Sequence, residues 1–210
     1  KNSSNPTVGV LAHPGQVDVR ITAKAKDQNS AMALIKPIEK EIRQLLGDNI
    51  FGADEDTLEN TVGNLLEKFN LTISTCEDIS GGTISNTFQS TNKDLFNQGI
   101  VLNNKNPYDT INKLLKPKIT NNSHEELAIS MAELAKTTSN SDLGLALHGV
   151  EEGETKTQNL GKGNTYIAIV GNKFKEIKHI RSAGRGIPDK KRASMYALSM
   201  VRQMISKHFS

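Results

Sequence analysis

Two short β-branched segments open the chain, Thr7-Val8-Gly9-Val10-Leu11-Ala12 and Val17-Asp18-Val19-Arg20-Ile21-Thr22-Ala23, with His13-Pro14-Gly15-Gln16 between them. Apolar runs interrupted by a Pro-Gly pair predict a strand, a turn and a strand, hence a hairpin. From Ser30 to Leu46 the apolar positions Ala31, Leu34, Ile35, Ile38, Ile42, Leu45 and Leu46 recur at threes and fours. That period predicts a helix with one apolar face lying over the hairpin, ended by Gly47. Ile50-Phe51 is apolar enough to add a short strand, and Asp54-Glu55-Asp56 marks a solvated boundary. Residues 1–53 therefore read as a small α+β domain and 54–210 as a larger one.

The second domain opens with Leu58, Val62, Leu65, Leu66 and Phe69 at helical spacing behind Thr57, a residue able to cap the amino end. A buried-type strand runs to Cys76, followed by the turn Glu77-Asp78-Ile79-Ser80-Gly81-Gly82 and a helix starting near Thr83. Further along, Ile100-Val101-Leu102 predicts a strand, Pro107–Leu115 a helix starting on its proline, and His124–Thr137 a longer helix capped by Ser123. Leu143–Leu147, Asn164–Val170 and Phe174–Ile180 read as strands, and Pro188–His208 as a closing helix. Strands alternate with helices at first and pair as a hairpin late. The expectation is an α/β three-layer sandwich with a mixed sheet between helices on both faces.

Composition narrows the class of protein. Hydrophobic residues make up 36% of the 210 and charged residues 23%, and no run approaches the roughly 20 apolar residues of a membrane helix. A chain free of the membrane is expected. The opening Lys-Asn-Ser-Ser-Asn-Pro has neither a signal-peptide core nor an arginine-rich transit face, and reads as the start of an excised fragment. The single cysteine, Cys76, offers neither a disulfide framework nor a thiol metal cluster. A reducing, cytoplasmic location fits, and no metal or cofactor is expected. Net charge is +3 without a clustered basic stripe, so nucleic acid is not the expected partner.

Candidate chemistry gathers where strands end. Ser80-Gly81-Gly82 would set backbone N–H groups at a helix start directly after a strand, a cradle for phosphate or carboxylate, although a tight turn needing positive φ has the same sequence. His148-Gly149-Val150-Glu151-Glu152-Gly153 would bring a second turn to the same sheet edge, where open α/β sheets bind ligands. His148 there could act as a base or hydrogen-bond donor, or serve the structure alone. Arg185, in the glycine-bounded loop Arg181-Ser182-Ala183-Gly184-Arg185-Gly186, is suited to bidentate phosphate recognition, or to pairing with Asp189. Lys190-Lys191-Arg192 reads as a solvated face, since cations oppose the dipole at a helix amino end.

These segments together resemble the CinA (competence/damage-inducible protein) family over nearly the whole chain. Asn5-Pro6-Thr7, Ala12-His13-Pro14-Gly15 and Val19-Arg20-Ile21-Thr22-Ala23 resemble that family's middle KH-like domain. Leu46-Gly47-Asp48-Asn49-Ile50-Phe51-Gly52 and Thr57-Leu58-Glu59 resemble the run into its C-terminal domain. Glu77-Asp78-Ile79-Ser80-Gly81-Gly82 stands where the family has Glu-Ser-Cys-Thr-Gly-Gly, Phe96 and Gly99-Ile100-Val101 match its next strand, and Gly184-Arg185 falls on its Gly-Asp-Arg. The family's N-terminal domain has no counterpart here.

The resemblance implies a C-terminal domain of the type that hydrolyses the amide of nicotinamide mononucleotide, using a serine in a Gly-Ser-Ser loop with a tyrosine and a lysine in Tyr-x-Asn-x-x-Lys. This chain departs from both motifs: the loop falls on Thr91-Asn92-Lys93, the tyrosine on Asn103, the asparagine on Lys105 and the lysine on Tyr108. The Thr-Gly-Ile-Ala-Gly-Pro turn has become His148-Gly149-Val150-Glu151-Glu152-Gly153. A serine hydroxyl attacks an amide only when a base removes its proton, so Ser90 or Thr91 with Lys105 is the pair that could replace the lost one. The favoured reading is a CinA-type scaffold that binds a ligand or supports assembly with little or no hydrolase activity; an active deamidase with the rearranged pair is the alternative. The ligand-contact residues expected are Glu77, Ser80, Gly81, Gly82, His148, Gly149 and Arg185, around a small anionic ligand of the pyridine-nucleotide type. The resemblance also implies a homodimer, with Met195, Leu198, Val201, Met204 and Ile205 as a broad apolar helix face that could instead pack on its own sheet. His13-Pro14-Gly15-Gln16 lacks the Gly-x-x-Gly clamp of RNA-binding KH domains.

Overall fold

A computed structural model of the chain describes residues 5–102, 107–115, 123–151, 163–181 and 186–209. Strands β1 (Thr7–His13) and β2 (Gln16–Thr22) form the expected antiparallel hairpin, in register from Thr7 opposite Thr22 to His13 opposite Gln16. Helix α1 (Gln28–Leu46) follows, its amino end held by Asp27, whose carboxylate accepts the Ser30 N–H at 2.8 Å. Its apolar face is only half covered: Ala31, Ile35, Ile38 and Ile42 are partly buried, whereas Leu45 is 76% exposed. No residue of α1, β1 or β2 is buried, so this small module has no closed core. Ile50-Phe51 does not form the expected strand; the Phe51 ring instead packs on the core of the larger domain. The turn at Gly15, with φ of +84°, lies against Arg192 and Met195.

The larger domain contains α2 (Leu58–Lys68), β3 (Ile73–Glu77), α3 (Thr83–Thr91), β4 (Phe96–Val101), α4 (Pro107–Leu114), α5 (His124–Ser139), β5 (Leu143–Glu151), β6 (Gly163–Val170), β7 (Lys175–Arg181) and α6 (Gly186–Phe209). One five-stranded sheet has the order β4-β3-β5-β6-β7. Its β4-β3-β5 half is parallel and its β5-β6-β7 half antiparallel, giving the mixed sheet expected. Alternation along each strand feeds two cores. Ile73, Leu143, Leu145, Leu147, Ile167 and Ile169 face α2, α3 and α6, while Cys76, Ala146 and Ala168 face α4 and α5.

Helix α6 buries Met195, Leu198, Val201 and Ile205 on its own sheet. That face is thus occupied within the chain, as one of the two sequence alternatives had it. Ser123 precedes α5 as expected, but its side chain makes no capping bond. No helix among the described residues is long and apolar enough to cross a membrane.

Strand β5 is longer than its apolar run predicts. His148 and Gly149 are not a turn: they pair with Tyr166 and Thr165 of β6, inside the ladder. The Leu143, Leu145, Leu147 alternation stops at Leu147, but the hydrogen-bonded partner continues, and pairing rather than apolarity defines a strand's end.

Candidate functional site

The carboxyl ends of β3 and β5 lie side by side at one edge of the sheet. Ser80-Gly81-Gly82 leaves β3 there and opens α3. Gly81 and Gly82 have φ of +63° and +94°, values that side chains rarely adopt, so glycine is required for the turn itself. Space at Gly81 is also restricted: a Cβ there would lie 3.2 Å from the Lys190 Nζ. An ammonium thus stands over the turn, although Lys190 reads from sequence as part of a solvated face. Gly82 is beside Val101, at the end of β4.

Glu77 and Ser80 turn inward rather than toward a ligand. The fully buried Glu77 carboxylate accepts the hydroxyls of Ser80 and Ser85, the Ser85 N–H at 2.9 Å and the Ile84 N–H at 3.3 Å. A carboxylate at this point satisfies free N–H groups of the first turn of α3 and is favoured by the helix dipole. Thr75 Oγ1 lies 2.8 Å from the Ser85 hydroxyl and extends the network into the strand. Glu77 therefore ties β3 to α3, leaving the outer surface of the turn to Gly81, Gly82 and Lys190.

On the opposite face of the same edge is a second polar group. Asp78 is 8% exposed, its Oδ2 is 2.6 Å from His148 Nδ1, and its Oδ1 accepts the Gly149 N–H at 3.0 Å. His148, 2% exposed, places its Nε2 3.0 Å from Nδ1 of His124, the first residue of α5. The Tyr108 hydroxyl of α4 is 3.3 Å from the same His124 nitrogen. The ladder register sets His148, Tyr166 and His179 in a row across β5, β6 and β7. Tyr166 stacks on His179 at 4.8 Å between ring centroids and on His124 at 5.6 Å. Burial, then the neighbouring His148, lowers the pKa of His124. Burial, followed by Tyr166 and Glu126, raises that of Tyr108.

The expected contact residues are thus distributed unevenly. Ser80, Gly81, Gly82, His148 and Gly149 do reach one edge, but Gly149 supplies packing room and an N–H for Asp78 rather than a cradle: a Cβ there would fall 2.3 Å from Ile79. Ser90 and Thr91 are exposed at the far end of α3, about 12 Å along the helix from its start, and Thr91 donates to the Thr87 carbonyl. Lys105 and Arg185 lie outside the described residues, as do Glu152, Gly153 and Ser182-Ala183-Gly184. Asp189, considered as a partner of Arg185, pairs with Arg192 at 3.0 Å. Among the described residues no group of three or more His, Cys, Asp or Glu side chains could hold a metal ion.

Sequence reasoning missed Asp78, Tyr108, His124 and Tyr166 as a group. Two signals were available: Asp78 and His148 both replace hydroxyl residues of the CinA motifs, and structure makes them partners. The stacking of Tyr166 depends on strand register for His179 and on the packing of α5 for His124.

A mixed five-stranded sheet clad by helices on both faces, with a glycine turn at the carboxyl edge, defines an α/β domain. Residues 1–52 match the damage-inducible protein CinA KH domain, and residues 55–205 match the CinA C-terminal domain. The chain belongs to the CinA family. A CinA-like protein of Kosmotoga olearia is 33% identical over 211 residues, covering 98% of this chain and 51% of the relative. The chain therefore spans about half the length of that relative. The fold is shared with a competence-damaged protein (CinA) superfamily protein from Klebsiella pneumoniae, at 15% identity and a TM-score of 0.59, covering 71% of this chain and 96% of the other. A second member of that superfamily, from Escherichia coli, is 20% identical with a TM-score of 0.53, covering 77% and 97%.

Proposed function

We propose that the carboxyl edge of β3 binds a small anionic ligand of the pyridine-nucleotide class, in a CinA-type domain that binds such a ligand with little or no hydrolysis of its amide. The observation that carries the reading is the Lys190 ammonium standing over Gly81, at a positive-φ turn that opens a helix. Backbone N–H groups, a helix amino end and a cation converge there on one small volume, the combination that favours a phosphate.

The amidase half of the family resemblance gains less support. Ser90 and Thr91 sit at the opposite end of α3 from this turn, about 12 Å along the helix, and the Thr91 hydroxyl donates to the Thr87 carbonyl rather than to a base. Glu77 meanwhile holds the hydroxyls of both Ser80 and Ser85, the serines at the turn and in the first turn of α3.

Calorimetric titration with nicotinamide mononucleotide, run beside an ammonia-release assay, tests the reading. Binding without ammonia is expected, weakened about tenfold in Lys190→Ala, the loss of one charge-assisted contact. Turnover abolished by Lys105→Ala would instead establish the deamidase. Absence of binding by either nicotinamide mononucleotide or its acid product would overturn the nucleotide assignment.

A further inference from the structure

Asp78, His148 and His124 form a row of polar groups that plays no part in the Gly81 turn, and its geometry is that of a proton path. The Asp78 carboxylate can only accept, so the 2.6 Å contact fixes a proton on His148 Nδ1. His148 Nε2 and His124 Nδ1 are then 3.0 Å apart, a distance at which two ring nitrogens hold one proton between them. Two bare lone pairs would repel, and two N–H groups would collide. The remaining nitrogen, His124 Nε2, makes no hydrogen bond to a described residue, and His124 is only partly buried. The row thus runs from a fully enclosed carboxylate to an open nitrogen.

A proton arriving at His124 Nε2 lets the one on Nδ1 pass to His148. The added charge then rests on a buried imidazolium against Asp78, the arrangement in which opposite charge favours it most. No proton is created or lost in this transfer: one enters at the outer nitrogen and one crosses between the rings. Among the described residues, the groups facing His124 are Tyr108 from α4, His148 from β5, Asp78 after β3 and Tyr166 from β6; His179 stands behind Tyr166, and Glu126 on α5 acts on Tyr108. Without a ligand, burial and His148 keep the outer ring short of protons. An anion beside it would reverse that balance.

We propose that His124 is a proton-coupled anion-binding residue: a carboxylate or phosphate oxygen docks on its Nε2 with uptake of one proton, and the His148–Asp78 pair carries the added charge. This rests on the reading that a small anionic nucleotide occupies the carboxyl edge. In the free protein His124 titrates below its ordinary value, and an anion on its Nε2 raises that midpoint. Affinity therefore rises as pH falls through the window between those two midpoints and is level on either side of it.

Long-range proton–nitrogen NMR of the histidine rings, recorded from about pH 5 to 9 with and without saturating nicotinic acid mononucleotide, reads this directly. The His124 midpoint is expected to rise by about one unit, equivalent to an approximately tenfold change in affinity across the window. Nicotinate and inorganic phosphate as separate probes distinguish the docking group: the one that moves His124 supplies the oxygen. In His148→Gln the shift should fall by more than half while the Gly81 and Gly82 amides still respond. An unmoved His124 midpoint with shifted Gly81 and Gly82 amides overturns the proposal and leaves nucleotide binding standing. No response at either place overturns both, and a full shift in His148→Gln removes the pair's role. The wild-type titration requires no variant to fold.

Discussion

Glu77 and Asp78 are consecutive carboxylates at the end of one strand, both buried, and the alternation of β structure sends them to opposite faces of the sheet. Glu77 meets the start of α3 and is surrounded by donors: two hydroxyls and two backbone N–H groups. Every one of those donors is local, within eight residues in sequence. Asp78 instead meets residues 70 and 71 positions away, and its row continues through His148 to a ring with an open nitrogen. A buried charge saturated by fixed donors rigidifies the fold. One that leads to a partly exposed titratable group can respond to its surroundings.

The largest expected effect breaks the comparison on the Glu77 side. Glu77→Ala removes the acceptor for four donors, those of Ser80 and Ile84 buried and those of Ser85 partly buried, with an expected loss of about 4 kcal/mol in a urea unfolding experiment. A loss below about 1 kcal/mol would mean that the α3 start finds its partners elsewhere, and the structural assignment of Glu77 would fall.

Asp78→Asn comes next. The substitution keeps an acceptor for one donor but can set an amide N–H against His148 Nδ1, so a cost of about 2 kcal/mol is expected, together with a changed His148 tautomer in ring NMR. Should the tautomer stay the same, the proton on Nδ1 was not fixed by Asp78, and the contrast with Glu77 would lose its basis.

The smallest effect sharpens the comparison. His124 is held below the ordinary histidine value by burial and by His148, so the unfolded chain binds its proton more readily than the folded one. Stability from this group is present above the unfolded value near 6.5 and is lost as pH falls through the lower folded value. His124→Gln should flatten that part of a stability profile below about pH 6.5, measured by thermal unfolding. An unchanged slope would show that His124 does not sense burial in the folded protein.

Much of this architecture could be read from the chain. The hairpin, α1 and its Gly47 stop, Thr57 as the cap of α2, and the glycine turn between β3 and α3 follow from local chemistry. Cap residues, turn glycines and apolar periods act over a few residues, so their signal survives in one dimension. Motif spacing carried the family as well. The end of β5 was not legible, because His148 and Gly149 remain strand only by pairing with Tyr166 and Thr165. Phe51 likewise has the pattern of a short strand, yet its ring is claimed by the core of the other domain.

The site divides along the same line. Sequence alone determined that Gly81 and Gly82 form a turn at a helix start, since positive φ and a missing side chain are properties of the residues themselves. It could name Glu77 and His148 as polar residues near strand ends, but not what they face. That Lys190 stands over Gly81, that Glu77 closes on Ser80 and Ser85, and that Asp78 aligns His148 with His124 were decided by how α6, α3 and α5 pack on the sheet. A hydrogen bond depends on distance in space within a few tenths of an ångström, and residues 70 apart in sequence acquire that distance only when the sheet register and the helix packing are both in place.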